Sequence, residues 1–189
     1  ERRLAARDLT RALNVLREEP ARLSVTLADW AIWDETYFFM LKPGQEFIDS
    51  NLNDRTIAAL QLEAVVFLAA GGKIVTSKRV GAGPGSGQPL PEGLGAWLES
   101  RFAKRPGPSL QDRGKGFLLL PGGVFVVGSC PVLRSDGSGP ALGTVVMCRP
   151  LGAKEIEEIG ERLRMRLALH RADIPLPVDL APLKLGESR

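Results

Sequence analysis

Histidine, tyrosine and cysteine are almost missing from this 189-residue chain, which has His170, Tyr37 and the pair Cys130 and Cys148 and no others. One imidazole cannot build a histidine-rich metal site and gives His-based acid–base catalysis little to draw on. The two cysteines lack the CxxC spacing of a zinc, redox or haem-attachment motif. Long apolar runs are also absent, so neither a spanning helix nor a signal peptide is visible. The opening ERRLAARDL, without methionine, reads as a piece of something longer. There is no basic bank either: 25 Lys and Arg oppose 22 acids and are spread along the chain, which leaves no footprint for nucleic acid. The glycine-rich run 81–87 lacks the lysine and following hydroxyl of a phosphate loop, and no nucleophile sits on a sharp turn. No catalytic set and no cofactor are expected, and the chain reads as a binder.

What is present is an ordinary apolar fraction of 44%, enough for one globular core, and an uneven distribution of rings. Five of the eleven aromatic residues crowd into DWAIWDETYFF (29–39), beside Asp29, Asp34 and Glu35. From Leu4 to Leu41 the apolar positions follow a helical period: Leu9, Leu13, Leu16, Leu23, Leu27, Trp30, Trp33, Tyr37 and Leu41 share one stripe. Pro20 interrupts it, and a kink or break is expected near 18–20. Val25, Ile32 and Phe39 fall on the opposite side, as in a helix that is sandwiched or paired with a partner chain.

After KPGQ, the stretch FIDSNLND leads into a short helix, RTIAAL. LEAVVFLAA, GGK and IVTSKRV read as strand, tight turn and antiparallel return. The Gly-, Pro- and Ser-rich segment 81–93 is a long loop, the natural place for a mobile lid. LGAWLESRFAK is a helix, and KGFLLL, GVFVVGSCPVL and ALGTVVMCRP are three strands. GAKEIEEIGE opens a helix with an acidic first turn. In 162–171, Leu163, Met165, Leu167 and Leu169 alternate with Arg162, Arg164 and Arg166, the period of a strand with one solvated face. The proline-rich tail 172–189 carries no period and reads as a linker. Consecutive antiparallel strands with helices grouped to one side make an α+β domain of the PAS or Cache kind, with a cavity between sheet and helices.

The residues DWAIWDETYFF, FIDSNL, AVVFLAAGGKIVTS, VVGSCPVL and ALGTVVMCRPL, in that order, resemble the fourth subclass of the CHASE domains. Trp30, Trp33 and Asp34 carry the most specific part of the likeness, then Asn51 and the hairpin Gly72-Lys73, then Arg149. The resemblance implies an extracytoplasmic (periplasmic or extracellular) sensory domain lying between two membrane helices. It would report to a cytoplasmic diguanylate cyclase, phosphodiesterase, histidine kinase or chemotaxis module, none of which is in this chain. Where family members usually have a glycine before the arginine matched by Arg149, this chain has Cys148; a thiol there would narrow a pocket shaped by that glycine. On this reading residues 1–22 are a membrane-proximal dimerisation helix, 23–171 the sensor domain and 172–189 the tail.

On the helical wheel Asp34 falls inside the apolar stripe, where a lone carboxylate is costly and must be bonded. Two roles stay open: a lock on the helix end, or an acceptor for a polar or cationic ligand, with Tyr37 giving a hydroxyl and Trp30 or Trp33 a flat wall. Arg149 could grip a carboxylate ligand bidentately or pair with Asp34, Glu155 or a loop carbonyl. Asn51 is a loop-folding residue or a pocket residue. A hairpin centred near Gly139 would set Cys130 near Cys148; two buried thiols are the ordinary outcome and a disulfide the alternative. His170 reads as exposed, without metal partners. The leucine stripe of residues 1–28 predicts a homodimer. The expected function is small-molecule sensing relayed through the first helix. The alternative is a structural or protein-interaction module that binds nothing small.

Overall fold

The computed structural model describes residues 2–80, 89–103 and 113–169, with side chains from Ala6 onward. A thirty-residue helix, α1 (Arg2–Ala31), opens the fold and passes through Pro20 without the expected break. Proline removes the amide that would have bonded the Leu16 carbonyl. The helix continues because it is held from outside, with Ala12 buried before the proline and Leu23, Leu27 and Ala31 buried after it. Ser24 Oγ also donates to the Pro20 carbonyl at 2.8 Å. The interruption comes instead at Ile32 and Trp33. Ile32 bridges Leu133, the Leu133 amide donates to the Ala31 carbonyl at 3.1 Å, and Trp33 is extended at φ −142°.

The stripe read as one helix to Leu41 is therefore two helices in different phases. In α2 (Asp34–Leu41) Thr36, Tyr37 and Phe39 are buried, while Phe38 and Leu41 are exposed. Two short helices follow, α3 (Gln45–Asn51), which the sequence did not announce, and α4 (Asp54–Ala59). Asn53 caps α4, its Oδ1 accepting from the Thr56 amide at 2.9 Å.

Strands β1 (Ala64–Ala69) and β2 (Ile74–Arg79) form the expected hairpin. Helix α5 (Leu94–Phe102), strands β3 (Gly114–Leu120), β4 (Gly123–Pro131) and β5 (Gly143–Pro150), and helix α6 (Ala153–Leu163) complete the order. The sheet runs β2-β1-β5-β4-β3, with every neighbouring pair antiparallel. This is the α+β class expected, a long N-terminal helix and a helical layer on one face of an antiparallel sheet. Val65, Phe67, Val126, Cys130, Val145 and Met147 point into that layer. Their neighbours Ala64, Val66, Leu68, Val127, Val146 and Cys148 point the other way, onto Leu94, Leu98 and Phe102 of α5. Apolar burial on both faces explains why these strands read as continuous apolar runs.

Three expectations are corrected. Residues 162–169 hold no strand: α6 ends at Leu163, Arg164 turns left-handed at φ 56°, and the Arg164 and Met165 amides bond back to Glu161 and Gly160. The alternation arises because Leu163 and Leu167 both fold onto the core from this helix end. Cys130 and Cys148 are free thiols, the ordinary outcome expected, but they do not lie opposite each other. The register pairs Cys130 with Val145 and Cys148 with Val127, three positions out, and an odd offset places the two on opposite faces. Cys148 therefore narrows nothing beneath the helical layer. His170, residues 81–88 of the long loop and the tail 172–189 lie outside the described residues.

Burial pushes the Cys148 thiol from its ordinary 9.0 up to about 12. Because the folded pKa is the higher one, its contribution is complete below about pH 9 and lost as pH rises towards 12. Urea titrations of the wild type should show this alkaline loss, and Cys148→Ala should lack it. At Gly143 a Cβ would overlap the Leu68 carbonyl and crowd Met40 Cε. Gly143→Ala should cost about 3 kcal/mol in urea unfolding, the upper end for overpacking, since backbone cannot step aside.

Candidate functional site

The aromatic cluster is a packed corner. Phe39 stacks on Phe47 at 4.3 Å between centroids, both meet Phe67 of β1 edge-on at 5.7 and 5.9 Å, and Trp33 leans on Phe47 at 6.3 Å. Trp30 packs against the same core. The wall expected for a ligand is thus occupied by the chain's own rings. Asp34 does not face inward. The helix break at Trp33 turns it out to solvent, where its Oδ1 accepts from the Ser135 amide at 3.0 Å and its own amide donates to Ser135 Oγ at 3.1 Å. Of the two roles left open, the geometry matches the lock. That reciprocal pair closes the β4–β5 loop onto the start of α2. Arg134 of the same loop lies over the rings of Tyr37 and Phe38, at 5.0 and 5.7 Å.

Asn51 Nδ2 donates to the Phe47 carbonyl at 3.2 Å, which finishes α3. It also borders a 630 Å³ surface groove shared with Phe38, Phe39, Phe47 and Lys42. Arg149 stands apart from both. Its Nη2 meets Glu19 Oε2 at 2.8 Å, a carboxylate that is only 8% exposed. Two further guanidiniums converge on Glu19 Oε1, Arg22 at 3.3 Å and Arg162 at 3.7 Å. One acid on α1 thus gathers a cation from β5, one from α6 and one from its own next turn. A 370 Å³ cleft opens beside them. The six residues expected to share a pocket are therefore distributed between a packed corner, a loop lock, a groove and an ion cluster.

Other polar groups were not singled out from the sequence. Thr36 Oγ1 and Thr76 Oγ1 are buried without a hydrogen-bond partner among the described residues. Thr36 lies one turn before Phe39, and Thr76 pairs across the sheet with Phe67. Lys78 is 3% exposed and reaches Asp54 Oδ1 at 2.8 Å. The readable signal was period two: Thr76 and Lys78 alternate onto the face that carries Val65 and Phe67. Nothing in REEP distinguishes the buried Glu19 from its exposed neighbour Glu18.

The CHASE4 domain profile matches residues 15–170, a span that takes in the ring stack, Asp34, Glu19 and Arg149. The chain belongs to the CHASE4 family. In outline this makes it a sensor domain of a signalling receptor, as the resemblance implied. Among curated proteins, the methanogenesis regulatory histidine kinase FilI of Methanothrix harundinacea (strain 6Ac) is 26% identical over 142 residues. Those residues are 75% of this CHASE4 chain but 16% of that protein, so the chain spans a small part of the relative it matches. Among the described residues no helix is long and apolar enough to cross a membrane.

Removing one partner of a buried ion pair leaves the other charge unaccompanied, which costs far more than the pair contributes when intact. Glu19→Ala should lower urea stability by about 3 kcal/mol. Arg162→Ala, whose side chain is 50% exposed, should stay within about 1 kcal/mol. Equal losses for the two would refute the view that Arg149 carries the interaction.

Proposed function

We propose that this CHASE4 domain is the extracytoplasmic ligand-binding part of a membrane-anchored receptor. It holds a small molecule between the sheet and the aromatic helix α2 and relays occupancy through α1. The observation that carries the reading is the pair of buried hydroxyls on Thr36 and Thr76, without a partner among the described residues, one a turn before Phe39 and the other paired across the sheet with Phe67. A buried polar group without a partner costs about 1 to 3 kcal/mol, so two in one layer are retained at a loss unless something bonds them. A ligand carrying a donor or acceptor over a flat apolar body meets both requirements, with Phe47 giving way as it enters.

The relay follows from α1. Its second half is core, and Glu19 ties it to β5 and α6, so an arrangement of the layer preferred by ligand shifts the populations of α1 positions. The output is read as a histidine kinase, the kind of protein the name of the similar FilI denotes, with a cyclase, phosphodiesterase or chemoreceptor as the other candidates. Pairing of two chains through 1–28 belongs to the same proposal: Val25 is 65% exposed, and Leu9 and Leu13 are only half-buried. A second reading, an interaction module that binds nothing small, draws on the packed ring corner and on the structural bonds of Asp34 and Asn51.

A metabolite library screened by thermal shift, with tryptophan fluorescence as the second probe, tests the proposal. A true ligand at a hundredfold excess over its dissociation constant adds about 2.7 kcal/mol. The double variant Thr36→Val/Thr76→Val should be at least as stable as the wild type without ligand and lose that gain with it. A library without any stabilising compound, or a gain that survives the double variant, favours the interaction module. Sedimentation showing only monomer at high concentration would end the dimer proposal.

A further inference from the structure

A second cavity lies under α1, away from the ring stack. It holds about 240 Å³ and is bounded by Ser24, Leu27 and Ala28 of α1, the start of β3 and the end of β4. Its floor is apolar and buried, with Leu27 at 1% and Cys130 at 3% exposure. Its rim is cationic: Arg113 and Lys115 are exposed, and neither forms an ion pair with a described residue. Among the described residues no acidic side chain lines it. The field of Arg113 reaches the floor, where it opposes the rise that burial imposes on the Cys130 thiol.

Two positive groups over an apolar floor select a negative head with a short greasy tail. At about 30 Å³ per water-sized unit, the volume suits roughly six to eight non-hydrogen atoms. Drug-sized ligands need more, and inorganic phosphate leaves the floor unused. Planar carboxylates match the fork of Arg113, while Lys115 adds a point charge.

We propose that this cleft is a binding site for a small monocarboxylate, with the head on Arg113 and Lys115 and the tail on Leu27, Ala28 and Cys130. The site also touches the weak turn of α1. Ser24, whose hydroxyl bonds the Pro20 carbonyl, lines the cleft. A carboxylate that takes the Ser24 proton donor for itself leaves the Pro20 carbonyl to the Ser24 backbone amide alone. This site stands whether or not the Thr36 and Thr76 site does.

The test is calorimetric titration of the domain with butyrate, with butyramide as the uncharged control of equal size. Alkylation of Cys130 is the second readout, and Cys148, buried on the other face, is the internal reference. Butyrate should bind and butyramide should not. At about ten times the dissociation constant, Cys130 should be labelled about tenfold more slowly. Arg113→Gln/Lys115→Gln should abolish both effects, and Ala28→Leu, which fills the apolar end, should abolish them with the charges intact. Thr36→Val/Thr76→Val should leave them unchanged. The site is overturned by absent butyrate binding, by equal binding of butyramide, or by binding that survives the Arg113 and Lys115 substitutions.

Discussion

A single carboxylate decides how α1 lies on the sheet. Glu19 is buried where β5 and α6 meet the helix, with the Arg149 guanidinium at 2.8 Å and two more within 4 Å. Such a pair adds little net stability over a well-packed apolar substitute, because desolvation offsets most of the attraction. Its effect is on position. Sliding α1 by one turn, about 5.4 Å, would carry the acid away from Arg149 and leave that half-buried guanidinium without its carboxylate. An apolar stripe tolerates small slides, and an ion pair of this kind does not. The rest of the helical layer is built on the register so defined, including the close approach at Gly128, where a Cβ would meet Leu27 Cδ2 at 2.9 Å.

The position of α1 then sorts the polar chemistry into separate places. At its C-terminal end the chain breaks at Trp33, and Asp34 is delivered to the Ser135 loop rather than to the core. Along its middle, Ser24 and Leu27 line the cationic cleft next to Cys130. Beyond the break, α2 and α3 lower Phe39 and Phe47 onto Phe67, with Thr36 one turn before Phe39 and Thr76 of β2 opposite Phe67. On the readings proposed above, a ligand at either place would act on elements that Glu19 couples to the same sheet. Small rearrangements of the layer therefore have a route to α1 without any large opening of the core.

Local pattern carried much of the fold. The β1–β2 hairpin, the helices at 54–59 and 94–102 and the three strands β3 to β5 all lie where period and turn chemistry put them. The readings that failed involve contacts between distant residues. The strand expected at 162–171 has the right alternation, but Leu163 and Leu167 serve the end of a helix. Pro20 has the chemistry of a helix breaker, yet tertiary burial on both sides holds the helix, while Ile32, with no breaking signal, is taken out by Leu133 one hundred residues on. That one break rotates every later position, so the wheel that put Asp34 inside was correct in arithmetic and wrong in phase.

By itself the sequence determined the α+β class, the CHASE4 membership and the positions of the strands β1 to β5, since these depend on period, turn residues and ordered motifs over short spans of chain. Only the tertiary structure decided which polar groups are buried. Burial depends on register between elements far apart: three positions of strand offset separate Cys130 from Cys148, and one helix break separates Asp34 from the core. Glu18 and Glu19 are chemically identical neighbours, and the Arg149 guanidinium, distant in the chain, distinguishes them.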